Sequence, residues 1–179
     1  ICYTPDGNPI VGPAWGLKNF WINEGHSFGI TAAGGAGWQL AEWIVDGEPT
    51  IVGAYVCTPL VKIPVKDLSN AGDSVGATTV AELGNRNRPL DMVSYEQDGE
   101  GYLLLSNSAR GVMKIPTDGL ADAPELAEPV RGGGTAGQSY ETVESLDGIL
   151  EMDRQGDKSL LVLLQDDKGL QRLQTVPLP

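Results

Sequence analysis

The chain has 179 residues, a formal net charge of −12, 41% hydrophobic residues, 24 glycines and 12 prolines. This is the balance of a turn-rich globular chain, and its acidity argues against nucleic acid or an anionic membrane surface as a partner. The acid is spread out rather than clustered: Ile1–Ile51 carries one Lys/Arg against five Asp/Glu, the remainder 11 against 19, as on a solvated surface.

In chain order, the informative run is Asn19–Pro49. Phe20-Trp21-Ile22 predicts a short buried strand, and Gly25-His26-Ser27-Phe28-Gly29 a turn. Apolar or small residues at Ile30, Ala33, Gly37, Leu40, Ala41 and Ile44 then predict one face of a helix over 30–46. Gly47 stands where a helix-ending glycine belongs, with Pro49 just beyond. A strand, a turn and a helix with a bare N-terminus suit the stabilisation of negative charge.

Two chemistries compete for that turn. Gly25-His26-Ser27-Phe28-Gly29 fits G-x-S-x-G, which would make Ser27 a nucleophile. A serine nucleophile needs a base, usually a histidine later in the chain, and the single histidine here is His26 inside the turn itself. Hydrolysis is therefore the weaker reading.

The stronger one rests on a resemblance. Tyr3-Thr4-Pro5-Asp6-Gly7-Asn8-Pro9, Gly12-Pro13, Gly16-Leu17-Lys18-Asn19-Phe20-Trp21, Gly25-His26-Ser27-Phe28-Gly29-Ile30, Gly34-Gly35-Ala36-Gly37 and Gly47-Glu48-Pro49 follow one another in a fixed order. Together they resemble the C-terminal end of the flavoprotein domain of dimethylglycine and sarcosine dehydrogenases, which are D-amino-acid-oxidase-like, FAD-dependent oxidoreductases. The resemblance covers Ile1 to about Ile51.

It implies FAD as cofactor, a small methylated amine as substrate, and oxidative N-demethylation as reaction. It also implies that Gly25, His26, Ser27, Phe28, Gly29 and Ile30 lie along the flavin, with His26 as the catalytic candidate and a cytoplasmic location for this part. The backbone N–H groups near Phe28, Gly29 and Ile30 suit the negative charge a reduced flavin carries. His26 is the side chain among them able to donate a proton or hold positive charge near neutral pH; being bonded only to backbone is the competing role. Ser27 is expected to cap the helix.

A domain of this type begins with a strand, G-x-G-x-x-G and a helix. The string Gly132-Gly133-Gly134-Thr135-Ala136-Gly137 fits that pattern, but it follows Pro124, Glu125, Glu128 and Pro129 instead of an apolar strand, so a flexible surface loop is expected. The expectation is thus a fragment or fusion carrying the closing segment without the nucleotide-binding part, inactive on its own.

Beyond Ile51, short apolar runs alternate with turn clusters. Val61-Lys62-Ile63-Pro64 matches Met113-Lys114-Ile115-Pro116 at an offset of 52, and Leu170 and Leu173 fall on the Val112 and Ile115 positions at an offset of 58. Ahead of the second copy lie Leu90–Tyr95, a turn at Gln97-Asp98-Gly99-Glu100-Gly101, and Tyr102–Ser106; ahead of the third lie Leu146–Glu151, a turn at Arg154–Asp157, and Leu160–Leu164. Such units suggest about two and a half propeller-like blades over 52–179, with a plain antiparallel meander as the alternative. Open sheet edges would then favour self-association. On this reading the chain is a noncatalytic binding or scaffolding module.

The fold class expected is mainly β with one helix near the N-terminus, divided as 1–51 and 52–179. No metal site is expected, because Cys2 and Cys57 stand apart and there is one histidine. Asp153, Asp166 and Asp167 read as turn acids, and Asn85-Arg86-Asn87-Arg88 as a polar connecting loop. No apolar run approaches the roughly 18 residues of a membrane-spanning helix, and no signal peptide is visible.

Overall fold

The computed structural model describes residues 10–24, 29–47, 49–69 and 74–179, and divides the chain into two compact units. The first comprises 1–49 with 64–69, the second 50–63 with 70–179.

In the first unit, strands β1 (Ile10–Pro13) and β2 (Trp21–Glu24) pair antiparallel, Pro13 opposite Trp21 and Ile10 opposite Glu24. The hairpin closes where the Ala14 N–H donates to the Phe20 carbonyl, 2.8 Å away, and Ala14 is buried. Helix α1 (Gly29–Asp46) follows, 18 residues long, close to the span its apolar spacing predicts. A short helix α2 (Val65–Ser69) is tied back by its Val65 N–H to the Pro49 carbonyl.

The second unit is antiparallel β. Strands β3 (Thr50–Ala54), β4 (Cys57–Pro64), β5 (Thr78–Asn87) and β9 (Thr135–Gly137) form one sheet in the order β3-β4-β5-β9. Strands β6 (Pro89–Gln97), β7 (Glu100–Asn107), β8 (Gly111–Pro116) and β10 (Glu141–Thr142) form a second, ordered β10-β8-β7-β6. Strands β11 (Ile149–Arg154), β12 (Ser159–Gln165) and β13 (Gln171–Pro177) make the third, a simple meander. Asp98 and Gly99, both with positive φ, form the two-residue turn between β6 and β7, as the Asp-Gly pair predicts.

The middle sheet is apolar on both faces, and each face has its own core. Leu103, Leu105, Met113 and Ile115 pack with Leu60, Val80, Ala81 and Leu83 of the first sheet. Leu104, Val112 and Tyr95 point the other way and pack with Ile149, Met152, Leu160 and Val162 of the third. Alternation along β7 thus sends successive leucines to opposite neighbours. Among the described residues the three sheets stay open, and no closed ring is formed.

Several expectations need correction. The run Phe20-Trp21-Ile22 is not buried: Phe20 is exposed, and Trp21 and Ile22 are half-covered. The covered side of α1 carries Ala36, Leu40 and Trp43, whereas Gly37, Ala41 and Ile44, assigned to that face, are exposed. Repetition in sequence likewise does not carry burial with it, since Val112 and Ile115 are fully buried and their counterparts Leu170 and Leu173 exposed. The reason is position: β8 lies inside a sheet between two others, whereas Leu173 is on edge strand β13 and Leu170 lies just before it.

The glycine-rich string is not a loose loop either. Gly132 and Gly133 lie in a single 3-10 turn, and Thr135–Gly137 is strand β9, hydrogen-bonded to β5 with Gly137 opposite Ala81. Gly137 has φ +73°, and a Cβ there would collide with the Val80 carbonyl, so close backbone approach explains the glycine. Asn85–Asn87 continues β5 instead of forming a loop, and Asn87 is fully buried.

Candidate functional site

Of the predicted flavin-lining residues, Gly25, His26, Ser27 and Phe28 lie outside the described residues. Gly29 and Ile30 open α1. Strand β2 ends at Glu24 and α1 begins at Gly29. No acidic residue lies in the first turn of α1, whose first N–H groups have no partner within the helix. This backbone arrangement fits an anionic edge of a bound group, because the helix N-terminus supplies donors and partial positive charge.

What aims α1 is the hairpin beneath it. The ring of Trp43 meets Trp21 edge-on, centroids 5.8 Å apart at 70°. Gly12 has φ +139°, and a Cβ there would lie 2.9 Å from the Trp43 ring. Only glycine gives β1 both that backbone angle and room for the indole. Gly12 was part of the sequence resemblance, but its packing role is visible only once the ring of Trp43 is placed.

The second unit holds two clusters that sequence reasoning missed. In the first, the Lys114 ammonium lies 4.1 Å from the Tyr102 ring centroid and 5.7 Å from that of Tyr95, and the two rings stack at 5.5 Å. Lys114 also donates to Gln97 Oε1 at 3.1 Å and to the Pro179 carbonyl at 3.3 Å, which accepts from the Tyr95 hydroxyl as well. The Tyr102 hydroxyl donates to Glu100, and that bond to a carboxylate pushes its pKa up to about 12. The cluster ties β6, β7 and β8 to the C-terminal segment. The sequence signal was a lysine inside the apolar strand GVMKIP.

The second cluster is a polar seam at one end of the middle sheet. Asn107 donates to Asn87 through its amide, and its Oδ1 accepts from the backbone N–H groups of Arg88 and Ala109. Asp91 Oδ2 accepts from the Met152 N–H at 2.7 Å, joining β6 to β11. Ser106, fully buried, lies within hydrogen-bonding reach of the Asp91 and Leu150 carbonyls. Nearly all of these bonds satisfy backbone, so the seam is structural. Asp166, expected as a turn acid, accepts from the Lys168 and Leu170 N–H groups. Among the described residues there is no group of three or more His, Cys, Asp or Glu placed to hold a metal, and Cys57 is a free, exposed thiol. No helix among them is long and apolar enough to cross a membrane.

Known proteins similar to this chain are dehydrogenases of methylated amino acids, and the similarity is confined to a short stretch. Dimethylglycine dehydrogenase, mitochondrial, from Rattus norvegicus is 49% identical over 49 residues, which is 27% of this chain and 6% of that protein. The Homo sapiens protein of the same name matches to the same extent. Sarcosine dehydrogenase, mitochondrial, from Mus musculus is 44% identical over 48 residues, 26% of this chain and 5% of the relative. The chain therefore spans only a small part of the length of the curated relatives it matches. No protein-family model matches it, and no solved structure does.

Proposed function

We propose that residues 1–51 are the flavin-facing closing segment of an FAD-dependent amine oxidoreductase. Its reaction is the oxidative N-demethylation of a small methylated amine such as dimethylglycine or sarcosine. The observation that carries this reading is the 49% identity over 49 residues to dimethylglycine dehydrogenase. The strand Trp21–Glu24 and the helix Gly29–Asp46 support it.

When bound, FAD supplies the acceptor for the hydride leaving the N-methyl carbon. The residues of this chain bind and orient. Backbone N–H groups at Gly29 and Ile30, with Gly25, Ser27 and Phe28 in the turn, line the cofactor's anionic edge and stabilise charge there. His26 holds positive charge beside that edge or orients the substrate carboxylate. This chain on its own does not retain FAD, because the segment lacks the dinucleotide-binding strand and helix. We place the flavoprotein part in the cytoplasm; recovery of the parent protein with mitochondria, as the names of the relatives would have it, overturns that placement.

Two measurements test the reading. The purified chain is expected to be colourless, and a yellow protein that keeps its flavin through gel filtration contradicts the claim that it cannot hold FAD alone. In a full-length enzyme carrying this segment, His26→Ala is expected to slow flavin reduction by the amine while FAD content stays nearly constant. Unchanged reduction kinetics would make His26 structural.

The stacked sheets of the second unit favour a second reading, in which the chain acts as a noncatalytic binding or scaffolding module. Three consecutive antiparallel sheets, packed face to face with a core between each pair, are what an arc of propeller-like blades requires. Open edges such as β13 then offer a route to self-association. Flavin binding by the whole parent protein, or its absence, separates the two readings.

A further inference from the structure

Helix α1 is apolar around most of its circumference. Over Gly35–Val45 the polar side chains are Gln39 and Glu42, neighbours on one narrow strip, and Glu42 accepts from the Trp38 indole N–H at 2.5 Å. On one side of that strip Ala36, Leu40 and Trp43 face the hairpin and are partly covered. At 100° per residue, Ile44, Gly37, Ala41, Val45 and Trp38 fill a second arc between the covered stripe and the polar strip. This arc is in water: Ile44 is 50% exposed, Trp38 68% and Val45 80%. A helix apolar nearly all round is ordinarily a buried helix. The sequence of α1 therefore specifies two packing partners, and the β1–β2 hairpin is one.

We infer that the second arc is a docking surface for the remainder of a dimethylglycine-dehydrogenase-like flavoprotein domain. The occupant follows from the relatives: the stretch they share with this chain is 6% of the rat enzyme, so there the same segment lies within a far larger body of protein. The small residues Gly37 and Ala41 let a neighbouring element approach closely, while Trp38, Ile44 and Val45 project as knobs on either side. Charge is absent from the arc, so the partner surface must be apolar. This inference rests on the flavoprotein reading.

The test is a chimera of full-length rat dimethylglycine dehydrogenase in which its matched segment is replaced by that of this chain. Ile44→Lys and Val45→Lys are made in the arc, and Gln39→Lys in the polar strip as control. The expected result is a soluble, protease-resistant chimera, a control that behaves identically, and loss of soluble, protease-resistant protein in both arc variants. Arc variants as well folded as the control overturn the docking surface, as does a chimera that never folds. A folded chimera without flavin, still sensitive to the arc variants, keeps the docking surface and sinks the flavin-lining role. Sedimentation of the unaltered 179-residue chain gives the remaining arm. A dimer dispersed by Ile44→Lys would make a second copy the occupant and overturn the proposal.

Discussion

Helix α1 and strand β7 are both apolar along most of their length, yet they meet water differently. Strand β7 sends Leu103 and Leu105 to one neighbouring sheet and Leu104 to the other, and all three are buried. Helix α1 packs on the β1–β2 hairpin and leaves Trp38, Ile44 and Val45 of its second apolar arc exposed. The second unit thus satisfies the hydrophobic demand of its middle sheet from within. The first leaves Trp38, Ile44 and Val45 of α1 exposed. Burial, rather than composition, separates the two units.

The largest expected effect lies where burial is complete. Leu104→Ala removes a fully buried side chain between two sheets and is expected to destabilise the second unit by about 2–5 kcal/mol. Because α1 is the one long helix among the described residues, far-ultraviolet circular dichroism reports mainly on the first unit for helix loss. Leu104→Ala should lower the strand transition while leaving the helical one in place. A common shift of both transitions would show that the two units unfold as one, and would undo the contrast drawn here.

In the first unit the sensitive point is Gly12. Its φ of +139° and the nearby Trp43 ring mean that Gly12→Ala strains the backbone and displaces the indole, for a cost of roughly 1–3 kcal/mol. The helical signal should melt earlier while the strand transition stays put. If Gly12→Ala leaves the helical melting point unchanged, Trp43 is not anchored as described. Asn107→Leu in the second unit strips the amide that donates to buried Asn87 and the oxygen that accepts from Arg88 and Ala109. Leaving those groups unpaired is expected to cost about 1–3 kcal/mol, and chemical denaturation of the strand signal measures it.

Much of this was legible in the sequence, for identifiable reasons. Helix α1 announced itself through apolar spacing and Gly47, and the β6–β7 hairpin through Asp98-Gly99, because both signals are local. The motif Gly25–Ile30 stood out in the sequence, but four of its six residues lie outside the described structure. What failed was non-local. Which stripe of α1 faces the hairpin depends on Gly12, more than twenty positions away in sequence. Gly137 answers to the backbone of β5, and Asn87 is hydrogen-bonded to Asn107 and Tyr55; none of these partners is adjacent in sequence. The clamp around Lys114 was equally invisible, since its aromatic floor comes from two other strands.

The smallest effect expected is a pH dependence that only the self-contained unit can show. The Tyr102 hydroxyl donates to the Glu100 carboxylate, a bond that ionisation of the phenol would destroy, and burial and the carboxylate's charge act in the same direction. Its pKa is thereby pushed from 10.0 up to about 12. Between those values the folded chain keeps a proton that the unfolded chain has released. The stabilisation is fully present below about pH 10 and is lost as pH rises through about 12. Tyr102→Phe should accordingly flatten the alkaline decline of the strand transition and leave the helical transition of the first unit untouched. Tyrosinate absorbance offers the direct reading, because one late-titrating phenol should vanish in the variant. If the wild-type and Tyr102→Phe curves differ only by an ordinary tyrosine titrating near 10, Glu100 does not hold that proton in solution. Tyr102 would then contribute to the middle sheet through its ring alone, under the ammonium of Lys114.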